Sequence, residues 1–181
     1  GLPEHAAKTM GMLERGLMQI QEIVAALLVQ ARDQRRLLTA QDLDDVRTLI
    51  HPQVLKKSLR LDWRAELPGD ARLPAAACRQ ILINLLLNAV QATAEAGRVE
   101  VDLRPRSGGL RLSVSNEAAP IPPERMEHLF EPFVGGREGG HGLGLWVTYQ
   151  IVRQLGGRIE AVCEDGQVRF EVWLPLEGRE T

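Results

Sequence analysis

Three glycines fall within the six-residue run Gly140-His141-Gly142-Leu143-Gly144-Leu145, which opens directly into an apolar stretch over residues 146–155. Glycines leave backbone N–H groups uncovered by side chains, and a helix starting here adds unpaired first-turn donors and the positive end of its dipole. The run therefore predicts a turn-to-helix junction that cradles an anion, phosphate above all. A glycine turn made only for chain reversal has the same composition, so the rest of the chain must decide between the two.

The chain has 181 residues, 44% of them hydrophobic, enough for one domain with an appendage or two small domains; fibrous and disordered classes are excluded. A formal net charge of −2 supplies no basic field to drive nucleic-acid binding. The longest unbroken apolar run, residues 23–29, is far shorter than a bilayer crossing, so no membrane contact is expected. Cys78 and Cys163 give neither a disulfide framework nor a zinc set, which fits reduced thiols in a cytoplasmic setting. A first residue that is glycine rather than methionine reads as a piece of a longer protein.

Met10, Leu13, Leu17, Ile20, Val24, Leu27 and Ala31 follow one another in alternating steps of three and four, the seam of a helix that packs against another helix. Residues 32–36 are polar, and Thr39 with Asp42 reads as a helix start, which divides the chain into a bundle helix over residues 1–38 and a second module over residues 39–178. In that module the pattern predicts a helix from about residue 42, interrupted at His51-Pro52. A strand follows with Leu59, Leu61, Trp63 and Ala65 alternating, then a long helix over residues 73–96. Residues 99–103 and 110–114 form a hairpin, residues 121–130 a short helix, and residues 146–155 a helix stopped by Gly156-Gly157. Two strands around Asp165-Gly166 close the order. Helices interleaved with hairpins predict a mixed and largely antiparallel sheet covered on one face by helices.

Asn84 and Asn88 lie four apart on the long helix and so share a face, with Gln80 and Gln91 extending the polar strip. Two readings of the asparagines stand open: ligands for Mg2+, which keeps waters and phosphate oxygens beside one or two protein oxygens, or caps that satisfy neighbouring backbone. Taken in order, Asn84-Leu85-Leu86-Leu87-Asn88-Ala89, Ile121-Pro122-Pro123-Glu124, Leu129-Phe130-Glu131-Pro132-Phe133 and the glycine run resemble the N, G1, F and G2 boxes of sensor histidine kinases over residues 73–174. The resemblance implies the ATP-binding fold shared by histidine kinases, gyrase, Hsp90 and MutL, an α/β two-layer sandwich, and it makes the heptad helix similar to the second helix of the dimerisation and histidine-phosphotransfer hairpin.

By the same resemblance, ATP or ADP with Mg2+ is the ligand, Asn88 the metal ligand and Asn84 its neighbour. Gly140, His141, Gly142, Leu143, Gly144 and Leu145 form the phosphate-side turn, and Phe130 and Phe133 anchor a short ATP lid. Arg137 in that lid meets a phosphate or stays a solvated charge. The G1 box departs from the family's Asp-x-Gly-x-Gly, reading Asn116-Glu117-Ala118-Ala119-Pro120. Asn116 stands where the aspartate accepts the adenine amino group, exchanging a charge-assisted hydrogen bond for a neutral one, at a loss of about 1 kcal/mol. Adjacent residues of an extended chain point to opposite sides, so Glu117 is not expected to replace the carboxylate.

His5, His51 and His128 do not match the family's phosphoacceptor, so the acceptor histidine is placed outside this chain, no catalytic residue is assigned within it, and the fragment is not expected to phosphorylate itself. The implied partners are a response-regulator receiver domain, a missing bundle helix and a second copy in the intact protein. Two rival readings share the fold: a degenerate pseudokinase that docks partners, and a serine kinase of the anti-sigma-factor type.

Overall fold

The computed structural model of the chain describes residues 36–132 and 143–176, and the heptad helix of residues 10–31 lies outside them. The elements run α1 (Ala40–Lys56), β1 (Arg60–Ala65), α2 (Ala75–Ala92), β2 (Arg98–Arg106), β3 (Gly109–Glu117), α3 (Pro123–Met126), α4 (Gly144–Gln154), β4 (Arg158–Glu164) and β5 (Gln167–Pro175). The strands make one sheet in the order β1-β2-β3-β5-β4. The β1/β2 pair is parallel, joined through the α2 crossover, and the other three pairs are antiparallel.

Strand alternation decides the layers. Register sets Val101 opposite Val114 and Val114 opposite Phe170, and likewise Leu103, Leu112 and Val172 in one row, so the apolar residues of three strands share one face. The α2 side chains Ile81, Leu82, Leu85 and Leu86 are buried in the same core as those rows, together with Val147, Ile151 and Val152 of α4. The opposite face is laced by ion pairs, with Arg111 between Asp102 and Glu171, and Arg98 bridging Asp62 and Glu100. This is the mixed sheet with helices on one face that the pattern predicts. Both hairpins close through two residues of positive φ, Ser107-Gly108 and Asp165-Gly166, whose twist matches that of the strands they join. Among the described residues no helix is long and apolar enough to cross a membrane.

Three boundaries differ from the sequence reading. Helix α1 runs unbroken through Pro52. Leu43, Val46, Ile50 and Val54 bury one stripe of the helix, while Thr48, whose carbonyl loses its partner at Pro52, and Pro52 itself lie on the exposed side. Packing holds the helix, and the freed carbonyl lies on its solvent-exposed side. Helix α2 stops at Ala92 because Thr93 turns extended, and the Lys57 ammonium donates to the Val90, Gln91 and Thr93 carbonyls, closing that end. The third helix is a single turn, Pro123–Met126, followed by turns to Phe130.

The start of α1 is pinned by a buried acid. Asp42 and Thr39 form a reciprocal capping box, and the Asp42 carboxylate also accepts from Arg36 and from Arg79 of α2. The Arg36 hydrogen bonds hold the Asp42 carboxyl well below the usual carboxylate range, against a burial that pushes the other way. A depressed native value stabilises the fold above the ordinary aspartate value of about 4 and is lost as pH falls towards the native one. Asp42→Ala is thus expected to lower unfolding free energy by about 2 kcal/mol at neutral pH, through the lost cap and the lost ion pairs to Arg36 and Arg79. In urea titrations the gap between variant and wild type narrows as pH drops below about 4.

Candidate functional site

Helix α4 begins without a cap. Leu143, the residue before it, is 1% exposed and supplies no side-chain hydrogen bond, and no acidic residue stands in the first turn. The first helical bond is Val147 N–H to the Leu143 carbonyl at 2.8 Å, which leaves the Gly144, Leu145 and Trp146 N–H groups without a helical acceptor. Gly144 is exposed, has no positive φ, and a Cβ added there meets nothing within 4 Å. Neither the chain's geometry nor its packing demands glycine at this position. Its missing side chain keeps the positive end of α4 open.

Asn84 holds that end in place. Its Nδ2 donates to the Gly144 carbonyl and to Thr148 Oγ1, both at 3.2 Å, while its Oδ1 accepts from Gln80 Nε2 at 2.8 Å. Thr148 is fully buried and donates back to the Gly144 carbonyl at 2.8 Å. Both polar atoms of the Asn84 carboxamide are therefore engaged, the nitrogen fastening α2 to the start of α4 and the oxygen held within α2 by Gln80. Asn88, one turn further along α2, is half-buried and its carboxamide hydrogen-bonds to no described residue. Sequence spacing places the two asparagines together on one face; the contacts divide the work between them.

The far end of the site is the end of β3. Beyond the last turn of α2, a Cβ added at Gly97 would meet Thr93 Cγ2 at 2.6 Å and Glu117 Oε2 at 3.4 Å. From Asn84 to Thr93 is about 13 Å of helix rise, with Asn88 between. Asn116, 2% exposed, sits in register with Val99 and Val168 on the helix-covered face. Glu117 points to the other face, where its carboxylate accepts from the Arg98 N–H at 3.1 Å, as alternation predicts. Ala118 has no positive φ and donates to the Gly166 carbonyl at 3.2 Å, so this loop runs without the backbone strain that would call for glycine.

Phe130 stacks on Tyr149 of α4 at 5.7 Å between centroids and meets Phe170 of β5 edge-on at 6.5 Å. The segment entering the expected lid is thereby anchored to the helix that carries the open N-terminus. Leu145 packs partly buried on the core. Phe133, Arg137, Gly140, His141 and Gly142 lie outside the described residues. Thr148 and Tyr149 escape a reading of the sequence, since a threonine and a tyrosine within an amphipathic helix carry no local signal of long-range partners.

Burial pushes the Cys78 thiol up to about 12, far from a thiolate at neutral pH. Among the described residues no three His, Cys, Asp or Glu side chains cluster to hold a metal, so a divalent cation would depend on carboxamide, water and ligand oxygens.

Residues 74–178 match the sequence profile described as histidine kinase-, DNA gyrase B- and HSP90-like ATPase. Sensor histidine kinase AruS of Pseudomonas aeruginosa is 43% identical over 150 residues, covering 74% of this chain and 15% of AruS. The chain thus spans a small part of that relative's length. Among solved structures, the nucleotide-free catalytic domain of histidine kinase ThkA superposes with a TM-score of 0.69 at 28% identity, covering 75% of this chain and 91% of that one. Full-length ShkA in complex with AMPPNP superposes with a TM-score of 0.69 at 27% identity, covering 87% and 36% of the two chains. With the matched residues spanning α2 to β5, the chain belongs to the histidine kinase-, DNA gyrase B- and HSP90-like ATPase family, among its sensor histidine kinases.

Proposed function

We propose that this chain is the ATP-binding catalytic portion of a sensor histidine kinase, which passes the γ-phosphoryl group of ATP to a histidine outside residues 39–178 and thence to a response-regulator aspartate. The observation that carries this reading is the uncapped, acid-free N-terminus of α4, held to α2 by Asn84 beside a free Asn88 carboxamide. The AMPPNP complex of ShkA, which shares the fold, supports a nucleotide as the ligand.

The residues present fit the nucleotide and its metal. Open space at Gly144 and three free N–H groups suit phosphate oxygens, and the Asn88 oxygen suits Mg2+, which when bound offsets phosphate charge. Catalysis then rests on positioning and electrostatics rather than on a protein nucleophile. Asn84 and Thr148 orient the helix end, the Asn88 oxygen would hold the metal, and Phe130 stacks on Tyr149 where the chain enters the expected lid. Neither described histidine suits the acceptor role: His51 precedes Pro52 in α1, and His128 is ion-paired with Glu131 beside the lid.

Calorimetric titration with ATP tests this. Binding in the presence of Mg2+ is expected, and Asn88→Ala should weaken it by about tenfold while leaving metal-free binding unchanged, a loss of roughly 1.4 kcal/mol. Absence of any ATP·Mg2+ binding at millimolar concentration would instead favour a partner-docking domain with a degenerate nucleotide site, a reading to which the altered loop after Asn116 lends itself.

A further inference from the structure

Strand β1 leaves one side of its backbone without a partner. It is an outer strand of the sheet, paired with β2 alone. The Arg60 and Glu66 N–H groups donate to the Gly97 and Leu103 carbonyls at 2.9 and 2.7 Å, so the even-numbered residues of this parallel ladder turn their backbone groups to β2. Leu61, Trp63 and Ala65 therefore turn theirs outward, where no described residue meets them. Proteins ordinarily blunt such an edge with proline, lysine or a bulge, and residues 60–66 hold none of these.

The side chains along β1 fix which strand fits beside it. Arg60, Asp62, Arg64 and, by alternation, Glu66 stand on the ion-paired face as a run of alternating charge. Leu61, Trp63 and Ala65 stand on the helix-covered face, in register with Val99, Val101 and Leu103. Asp62 holds Arg98 Nε at 2.6 Å, while Arg60, Arg64 and Glu66 are exposed and form no ion pair with a described residue. Laid antiparallel on a copy of itself about Trp63, the strand sets Arg60 opposite Glu66, Asp62 opposite Arg64 and Leu61 opposite Ala65, with Trp63 facing its own copy. Every charged pair is then of opposite sign, at non-hydrogen-bonded positions where side chains approach closest, and Leu61, Trp63 and Ala65 exchange backbone hydrogen bonds with the residues they face. Sliding the copy by two residues either way puts arginine opposite arginine and Asp62 opposite a carboxylate. A parallel copy in register does the same, and a slip of one residue turns the core face outward.

We propose that the β1 edge is an interface for a second copy of this chain, joined antiparallel about Trp63 so that the two sheets run on as one across a two-fold axis. The occupant is a copy rather than an unrelated strand because residues 60–66 complement their own reverse in charge and in face. The interface is independent of the nucleotide reading above, since β1 carries none of the residues assigned to that site.

Sedimentation equilibrium of the full chain is the test. The wild type is expected to dimerise reversibly with a Kd below about 1 mM, the weak range of a small interface. Arg60→Glu and Glu66→Arg each set like charges opposite one another across the edge and should weaken self-association by about tenfold. Mixed in equal amounts, the two variants should regain dimers, because a copy of one restores opposite charge against a copy of the other. Ala65→Pro removes an outward N–H and none that β2 uses, so it should abolish the dimer while the thermal melt stays near that of the wild type. A wild type that stays monomeric at about 1 mM overturns the proposal, whether the edge is bare or serves another partner. Self-association that neither charge variant weakens also overturns it, by placing the contact elsewhere in the chain. So do weakened variants that fail to rescue each other. The mixing result decides even where the proline variant does not fold.

Discussion

Gly144→Asp is expected to abolish nucleotide binding while leaving the fold as stable as before or slightly more so. A carboxylate in the first turn of a helix interacts favourably with the dipole, by roughly 0.3–1 kcal/mol, and replacing glycine there also removes a backbone-entropy cost. Space is no obstacle, since a Cβ at this position meets nothing within 4 Å and the φ is ordinary. The same carboxylate, however, stands where phosphate oxygens would approach the free N–H groups of Gly144, Leu145 and Trp146. It occupies their donors and repels their charge, which should weaken ATP by about 100-fold or more, equivalent to at least about 2.7 kcal/mol. Thermal melts without ligand and calorimetry with ATP read the two effects separately. A neutral Gly144→Asn control carries the same bulk without the charge. Unchanged affinity in the aspartate variant would place the anion away from α4.

The sheet was legible because its strands keep period two: alternating residues from Val99 to Leu103 and from Gln167 to Leu174 announce which side is covered, and the Gly-containing turns announce the hairpins. Pro52 misleads because a local rule counts its lost hydrogen bond, whereas the buried stripe of Leu43, Val46, Ile50 and Val54 is a tertiary effect that the rule does not include. In the site, the glycine run and the i, i+4 asparagines are visible to spacing alone. What spacing leaves unresolved is which amide is already occupied: Asn84 is spent on Gly144 and Thr148, contacts that span more of the chain than any helical period reaches. The seating of Phe130 on Tyr149 is hidden for the same reason. Alternation does separate Asn116 from Glu117, since neighbouring strand residues must face opposite layers, and the coordinates bear this out in the Glu117 bond to the Arg98 N–H.

Gly157→Ala is expected to cost about 3 kcal/mol or more, lowering the melting temperature by roughly 10 °C. A Cβ there would lie 2.4 Å from the Trp173 carbonyl oxygen, 2.9 Å from Leu174 Cδ2 and 3.2 Å from Val152 Cγ1. The leucine can rotate away; the carbonyl cannot. Trp173 is paired on one side with Arg158 and on the other with Arg111, so its backbone recedes only by disturbing two ladders. Moving Gly157 instead breaks its N–H bond to the Val152 carbonyl at 2.9 Å, which with the left-handed Gly156 closes the C-terminal end of α4. Gly156→Ala is the instructive comparison, because it meets only a Pro175 Cγ at 3.6 Å and carries chiefly the penalty of a positive φ, about 1 kcal/mol. A chemical-denaturation series ranking Gly157→Ala well below Gly156→Ala, with Gly144→Asp at or above wild type, would separate what α4's terminal glycines do: the two at its end serve the chain's own packing, and the one at its start keeps room for a ligand. Equal stabilities for Gly157→Ala and wild type would mean that β5 yields where its ladders say it should not.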